Sequence, residues 1–305
     1  MTRPKAIILT GPTGSGKSRL ALGVGEALGA EIINADSLAF YRGLDIGTAK
    51  PTEVDRQRVP HHLLDILDPD EPFDAAAYLA LARPLVERLW RADRPALIVG
   101  GTGLYLRSLC RGLFPGPGRQ EGIRAELREA RRQGQDLHAL LAREDPLAAA
   151  RIQPRDLTRL ERALEVIRAT GRSIVDFQGR HNLADQPFET LTLIIDRPTA
   201  ELDADIRRRT SQMFAAGLLA ETRNLLSAGW DPDLKPLKAI GYLEAQACLA
   251  GEISLETAQE RVFLRTRRLA KRQRTWFRGQ LAEGLWVPPD PAKILSLIRE
   301  FWANR

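Results

Sequence analysis

Cysteine is scarce in this sequence, as are other features that would point to a particular class of protein. The 305 residues include two cysteines, Cys110 and Cys248, which provide neither a disulfide framework nor the ligand spacing of a metal site. No apolar run approaches the roughly 20 residues of a membrane-spanning helix. The first ten residues are too short and wrongly flanked for a signal peptide. We therefore expect a cytoplasmic protein without membrane contact, and nothing in the sequence demands more than a monomer.

Acidic side chains are absent from one stretch near the end of the chain. Residues 261–278 hold eight of the 45 Arg and Lys residues and none of the 39 Asp and Glu residues. On a helix, Val262, Leu269 and Trp276 would form a narrow apolar face for docking on the core, beside two basic stripes. One stripe comprises Arg261, Arg265, Arg268 and Arg272, and the other comprises Arg267, Lys271, Arg274 and Arg278. This local charge favours contact with an RNA or DNA backbone over an ordinary solvated face.

Short apolar strands alternate with amphipathic stretches in the first hundred residues. The pattern predicts strands at 5–10, 31–34 and 96–99. It also predicts a helix over 73–90, with Asp74 as its N-cap. Strands that alternate with helices in this way are typical of a parallel α/β sheet.

The residues between the first strand and the first helix match the phosphate-binding motif G-x-x-x-x-G-K-[S/T]. The stretch is GPTGSGKS, from Gly11 to Ser18. Its glycines allow successive backbone N–H groups to face one concavity, at the N-terminus of the following helix. Lys17 can reach terminal phosphates, and the Ser18 hydroxyl can bind Mg²⁺. The motif predicts phosphate binding, but it does not identify ATP or a kinase.

The alternation of strands and helices ends after the first hundred residues. A linker rich in Pro and Gly, Phe114–Gly118, precedes charged, helical sequence. Within it, Thr158 and Glu161 are predicted to form a capping box, and Gly171 is predicted to end the same helix.

A strand is predicted again at 191–195, followed by mostly helical sequence from about Thr199. The predicted fold class is α/β, with a P-loop NTPase-like parallel sheet core interrupted by a helical insertion domain. The core would comprise residues 1–114 and 189–305, including the basic C-terminal helices. The insertion domain would comprise residues 115–188.

Further polar residues follow the predicted strands. Asp36 comes after the second strand, and Thr102 lies in a glycine-rich loop after the third. Because ligands bind at the carboxyl ends of parallel strands, both should face the phosphate-binding loop. Asp36 could hold Mg²⁺ through water, act as a general base or cap a helix, and spacing alone does not separate these roles. The loop at Thr102 is almost as typical of a structural turn as of a substrate contact. His61 and His62 favour core packing over a metal site, because adjacent side chains point in different directions.

Together these residues resemble the tRNA dimethylallyltransferase family, also called tRNA isopentenyltransferases. The resemblance covers nearly the whole chain. The matching stretches are GPTGSGKS (11–18), NADSLAFYRGLDIGTAKP (34–51), VPHHLLDILDP (59–69), LIVGGTGLYL (97–106), RLERALEV (159–166), IRRRTSQMFAAGLLAE (206–221), KAIGYLE (238–244) and LAKRQRTWFRG (269–279). Each stretch alone is weakly specific, whereas their order and spacing together are highly specific.

The resemblance implies a reaction and its partners. Members of the family transfer a dimethylallyl group from dimethylallyl diphosphate to N6 of the adenosine 3′ of the anticodon, without hydrolysing a nucleotide. The expected partners are therefore a tRNA anticodon loop and this donor, with Mg²⁺ as the cofactor bound by Ser18.

The resemblance also implies residue roles. Asp36 would be the general base, Thr13 would lie close to the reacting centre, and Lys17 would stabilise the leaving diphosphate. The diphosphate-binding residues would be Gly11, Thr13, Gly14, Ser15, Gly16, Lys17, Ser18 and Arg209, of which Arg209 is also counted as catalytic. The tRNA-binding residues would be Asp36, Ser37, Leu38, Ala39, Thr102, Arg124, Arg159, Arg162, Lys238, Gly241, Tyr242, Lys271 and Arg272. Many members carry Gln where this chain has Ala39, so we expect a changed tRNA contact there and retained activity.

Two other functions share some of these features. A small-molecule or nucleotide kinase would have the phosphate-binding loop and could use the insertion as a lid, but it leaves the basic segment unexplained. A non-catalytic, RNA-binding nucleotide switch specific for guanine would normally carry an N-K-x-D motif, which this sequence lacks.

Overall fold

The computed structural model describes residues 3–114, 116–181 and 186–304, which form two compact units. The first unit comprises residues 1–110 and 187–305, and the second comprises residues 111–186. Pro115 of the predicted linker and residues 182–185 of the predicted insertion lie outside the described residues. Within the described parts of the chain, no helix has both the length and the apolar character needed to cross a bilayer.

A parallel sheet forms the centre of the first unit. Its strands are β1 (Lys5–Thr10), β2 (Glu31–Asn34), β3 (His61–His62), β4 (Ala96–Gly100), β5 (Glu189–Ile195) and β6 (Leu285–Val287). Their order is β3-β2-β4-β1-β5-β6, and every neighbouring pair is parallel. The predicted α/β class is confirmed. β3 and β6, which the sequence did not predict, have two and three residues, too few to show a period-two pattern.

The described residues also form a series of helices. They are α1 (Lys17–Leu28), α2 (Glu53–Arg58), α3 (Ala75–Arg91), α4 (Gly103–Arg111), α5 (Glu121–Arg132), α6 (Leu137–Glu144), α7 (Pro146–Ala149), α8 (Leu157–Thr170), α9 (Ile174–His181), α10 (Thr199–Ala215), α11 (Leu218–Ser227), α12 (Tyr242–Leu249), α13 (Leu255–Gln280) and α14 (Pro291–Ala303). The predicted N-cap of α3 is confirmed, because the Asp74 carboxylate accepts the N–H groups of Ala76 and Ala77, both at 2.9 Å.

The sheet core fixes where the site must lie. β1 is buried along its whole length between β4 and β5, as a continuous apolar strand enclosed on both faces requires. In a parallel sheet all the carboxyl ends lie at one edge. The turns that follow β1, β2, β4 and β5 therefore meet at that edge.

The second unit is helical and packs around its own core. Leu127, Leu141, Leu160 and Leu164 are fully buried there. The predicted end of α8 is confirmed, because Gly171 is left-handed with φ 67° and its N–H donates to Ile167 O.

The predicted capping box at the start of α8 is wrong. The N-cap is Asp156, whose carboxylate accepts the Arg159 N–H at 3.2 Å. Thr158 therefore lies inside the first turn. Aspartate is at least as favourable an N-cap as threonine, so the earlier residue takes this role.

The long helix α13 carries the basic segment. Val262 of the predicted apolar face is buried, but Leu269 and Trp276 are only partly buried. Their neighbours Ala270 and Phe277 are buried instead. The buried face is therefore wider than predicted and turned by one residue. A seven-residue spacing fits either register, so periodicity alone did not separate them.

Candidate active site

The phosphate-binding loop joins β1 to α1 and has the backbone conformation that its glycines permit. Gly14 has φ 87°, and a side chain there would also meet Ile206 Cγ1 at 2.8 Å. Gly16, with φ 83°, is the N-cap of α1. Ser15 is 1% exposed, and its Oγ has no hydrogen-bond partner among the described residues. A buried hydroxyl without a partner is costly unless a ligand oxygen binds to it. The loop therefore fits a bound phosphate.

Two partly buried cations face this loop. Lys17 opens α1 and Arg209 lies on α10. Within the described residues neither forms an ion pair, and Arg209 makes only a long contact, 3.5 Å from Nη2 to Thr48 O. Burial lowers the pKa of Lys17 to about 8; Asp36 acts against this shift and Arg209 adds to it. Burial also lowers the pKa of Arg209. Such unbalanced positive charge fits a polyanionic ligand.

Asp36 is held at the end of β2 by Asn34. The Asp36 N–H donates to Asn34 Oδ1 at 2.9 Å, and Asn34 Nδ2 donates to Asp36 O at 3.1 Å. Asp36 Oδ1 accepts the Leu38 N–H at 3.1 Å. One carboxylate oxygen therefore organises the loop, whereas Oδ2 forms no hydrogen bond with a described residue and is available for chemistry.

Thr102 connects the loops that follow β2 and β4. Its Oγ1 accepts the Ser37 N–H at 2.9 Å, and its own N–H donates to Ala35 O at 3.2 Å. Asp36, Ser37 and Thr102 therefore lie together at the carboxyl edge of the sheet, as the sequence predicted for Asp36 and Thr102. Thr102 also lines a cleft, so the structural and substrate-contact interpretations are compatible.

Two clefts adjoin at this edge, one of about 350 Å³ and one of about 330 Å³. Thr13, Asp36, Thr48 and Arg209 line both. The first cleft, which we call the polar cleft, also has walls of Lys17, Ser18, Asn34 and Lys50. The second, which we call the apolar cleft, has an apolar wall formed by Ile206, Met213, Ile240, Val262 and Leu269. A charged group and an apolar group could therefore be bound on two sides of one carboxylate.

The polar cleft contains oxygen ligands that suit Mg²⁺. Ser18 and Asp36 both line it, and hydroxyl and carboxylate oxygens are ligands that this cation prefers. The two adjacent histidines have separate partners. His61 Nδ1 lies 2.7 Å from Val59 O, and His62 Nε2 lies 2.6 Å from Glu31 Oε2.

The sequence did not identify Glu221, which holds the turn before Thr48. Its carboxylate accepts the N–H groups of Asp45, Ile46 and Gly47 at 3.1, 2.8 and 3.1 Å. It also accepts the Tyr242 hydroxyl at 2.6 Å. Only the position of Glu221, at the end of a stretch typical of the resembled family, could have indicated this role.

Tyr242 was predicted as a tRNA contact, but it is fully buried. Its ring packs against Gly47, where an added Cβ would lie 2.4 Å away. Burial raises the pKa of its hydroxyl, and Glu221 adds to the shift. The side chain offers no surface to RNA, so we correct its role to supporting the Gly47 turn.

Gln273 on α13 was also missed. Its Oε1 accepts the Thr13 N–H at 2.8 Å, and its Nε2 donates to Gly101 O at 3.0 Å. The sequence offered two signals, an uncharged amide between Arg272 and Arg274 and its place within the family stretch 269–279.

The basic segment is partly neutralised by other elements. Arg265, Arg267 and Arg274 pair with Glu244, Asp203 and Asp196 respectively. Among the described residues, five cations of the segment are exposed and form no ion pair: Arg261, Arg268, Lys271, Arg272 and Arg278, the last with its guanidinium 5.4 Å from the centre of the Trp286 ring. The predicted contacts Lys271 and Arg272 thus lie on an exposed, uncompensated positive surface, which we call the basic face.

The remaining predicted tRNA contacts have diverse environments. Arg124 and Arg162, in the second unit, both bind the fully buried Glu165. Burial would raise the pKa of Glu165, but hydrogen bonds from Arg124, the Gln120 N–H and Arg162 lower it to about 2. These arginines therefore stabilise the unit.

Arg159 is 74% exposed, and Lys238 is half-exposed beside Asp233 at 2.7 Å. Ala39 is buried in the first unit, where it lines the polar cleft. Gly241 is the N-cap of α12, with φ 100°. The accessible candidates for RNA contact in this group are thus Arg159 and Lys238.

The chain is similar to known proteins along most of its length. The model of the IPP transferase family matches residues 39–280. A tRNA dimethylallyltransferase of Geobacter sulfurreducens is 49% identical over 305 residues, which is 99% of this chain and 98% of that protein. One of Geobacter metallireducens is 46% identical over 304 residues, 98% of each. The solved full-length tRNA isopentenylpyrophosphate transferase of Bacillus halodurans is 36% identical, with a TM-score of 0.72 and coverage of 99% of this chain and 96% of that one.

Proposed function

We propose a function from one premise: the chain belongs to the IPP transferase family, and it is an enzyme that transfers a prenyl group in tRNA modification. In detail, it transfers dimethylallyl from dimethylallyl diphosphate to N6 of the adenosine 3′ of the anticodon. It acts as a monomer in the cytoplasm. The observation that carries the proposal is the meeting of the polar and apolar clefts at Asp36.

The polar cleft binds the diphosphate of the donor. Lys17, Arg209 and the N–H groups of the phosphate-binding loop stabilise negative charge as the allylic C–O bond breaks. Because no described acid pairs with either cation, their charge is available to the ligand. Mg²⁺ held by Ser18 would supply further charge neutralisation on the departing diphosphate.

Asp36 activates the acceptor. The exocyclic amine of adenine is a poor nucleophile, since its lone pair is delocalised into the ring. The free Oδ2 of Asp36 takes a proton from N6 as the new C–N bond forms, which contributes about 10²–10⁴ in rate. The diphosphate leaves with the electron pair of the broken C–O bond. The apolar walls exclude water that would trap the allylic cation.

The acceptor adenosine must leave the stacked anticodon loop to reach this position. The basic face of α13 offers Arg268, Lys271 and Arg272 to the phosphodiester backbone near the adenosine. These charge contacts do not depend on base sequence, and they position the anticodon loop. The apolar cleft then binds the extruded base or the prenyl group.

A transfer assay tests the reaction and the base together. Purified protein, Mg²⁺ and radiolabelled dimethylallyl diphosphate are incubated with an unmodified tRNA transcript, without ATP or GTP. The wild type should label the tRNA, and Asp36→Asn should lower the rate by about 10²–10⁴ while it still binds the donor. Asp68→Asn is the matched control, because Asp68 is exposed and bonds only to surface groups.

Two results would contradict the proposal. Absence of labelling, together with ATP consumption when ATP is supplied, would instead indicate that the phosphate-binding loop serves a kinase. A wild-type rate in Asp36→Asn would keep the prenyl transfer but remove Asp36 as the base.

A further inference from the structure

Gln273 connects two parts of the donor site. Its amide oxygen accepts the Thr13 N–H at 2.8 Å, in the phosphate-binding loop, and its amide nitrogen donates to Gly101 O at 3.0 Å, after β4. These turns follow neighbouring strands of the sheet. Among side chains of this length, the amide supplies an acceptor and a donor together, whereas ionised glutamate lacks the donor and methionine offers only a weakly accepting sulfur.

The next residue anchors the same helix turn to a third strand end. Arg274 donates a hydrogen bond to the Asp196 carboxylate and another to Arg197 O, the latter at 2.7 Å. Asp196 directly follows β5, which lies on the other side of β1 from β4. α13 therefore crosses the carboxyl ends of β4, β1 and β5, and the Gln273 turn fixes it there.

The basic face extends into the same turn of α13. Arg272 and Lys271 precede Gln273 by one and two residues, about 1.5–3 Å along the helix axis. A helix moves as a stiff element over such a distance. Any shift of α13 that RNA contact produces is thus transmitted through Gln273 to Thr13 and Gly101.

We propose that Gln273 is a positioning residue that couples tRNA contact on α13 to alignment of the phosphate-binding loop. The proposal rests on the function given above, because it assumes that the basic face binds tRNA. Binding of tRNA and of diphosphate then strengthen each other by the same factor, since coupling between two sites is reciprocal.

Calorimetry with inorganic diphosphate as the probe measures this factor without turnover. The dissociation constant of diphosphate is determined with and without saturating tRNA in the presence of Mg²⁺. In the wild type, the ratio of the constant without tRNA to the constant with tRNA should be about five or more. In Gln273→Met, which keeps the length but loses both hydrogen bonds, the ratio should fall to about one. The dissociation constant of tRNA alone should change less than about twofold, because the basic face is intact.

Two further variants separate coupling from loss of fold. Gln280→Met is the matched control on the same helix, because Gln280 accepts from Arg107 and touches neither turn. It should keep the wild-type ratio. Gln273→Glu keeps the acceptor for Thr13 but loses the donor to Gly101, and it brings negative charge toward Lys17. It should show a reduced ratio and weaker diphosphate binding without tRNA.

The outcomes distinguish failure of the coupling from failure of the proposed function. A ratio near one in the wild type, or an undiminished ratio in Gln273→Met, overturns the coupling while label transfer to tRNA continues. Absence of label transfer in the wild type overturns the proposed function, and the coupling with it.

Discussion

The low pKa of Lys17 gives a quantitative prediction for donor binding. With a pKa of about 8, the ammonium form is about 90% populated at pH 7 and about 10% at pH 9. The amine form carries no charge to attract phosphate. The dissociation constant of the donor should therefore increase about tenfold between pH 7 and pH 9, equivalent to about 1.4 kcal/mol. An ordinary lysine, with a pKa near 10.4, would leave the constant almost unchanged over this range.

The assay is equilibrium binding of dimethylallyl diphosphate without tRNA, across pH 7–9. Lys17→Arg keeps a charged group throughout this range, so its affinity should vary little with pH, whatever its absolute value. Lys17→Met should bind weakly and without the pH step. At pH 8 the wild type should take up about half a proton on binding, detectable as a dependence of the enthalpy on the buffer. A flat wild-type profile, or a step that survives in Lys17→Met, would refute the assignment.

The lowered pKa of Lys17 also makes the free energy of unfolding depend on pH. The folded protein releases the Lys17 proton at about pH 8, whereas the unfolded chain keeps it to about 10.5. The unfolded state therefore binds more protons in this window, and stability from this group rises as the pH increases from 8 to 10.5. Below pH 8 the cost of burying the ammonium is fully present. Bound diphosphate removes that cost.

Two further predictions concern the second unit and the basic face. Glu165→Gln should lower the free energy of unfolding by about 3 kcal/mol, because it weakens buried ion pairs. Glu161, which is half-buried, is the control, and Glu161→Gln should change this free energy by less than about 1 kcal/mol. Denaturant titrations measure both values, and equal effects would argue against a stabilising role of the buried cluster. The stabilising charge of wild-type Glu165 is present above pH 4.5 and is lost as the pH falls toward about 2. Arg268→Ala combined with Arg272→Ala should weaken tRNA binding and reduce the slope of log affinity against log salt by about two, with diphosphate affinity retained. Arg91→Ala, which removes an exposed cation on α3, should leave both quantities unchanged, and a similar loss of slope there would assign the salt dependence to general charge.

Local sequence patterns predicted the elements that form the donor side of the site. β1 and β2 have the predicted bounds, because each is a short apolar run followed by turn residues. The loop from Gly11 to Ser18 was predictable for a related reason, since its chemistry depends on backbone conformation that only glycine permits. Asp36 lies where the rule for parallel strand ends placed it.

The contacts that complete the site were not predictable, because they join residues far apart in the chain. Gln273 bonds Thr13 across 260 positions, and Glu221 holds a turn 174 positions away. No local period encodes such pairs. The burial of Tyr242 shows the same limit, since a family stretch marks a residue as important without saying whether it faces a ligand or a turn.

The place of β1 in the sheet has a consequence for synthesis of the protein. The phosphate-binding loop leaves the ribosome well before the sheet around it can form, because β1 lies between β4 and β5, and β5 begins at residue 189. α13, which completes the loop's surroundings, follows much later. A nascent chain therefore carries its phosphate-binding sequence through the synthesis of β4, β5 and the helices that follow without a formed site, and competence arises only after α13 has emerged.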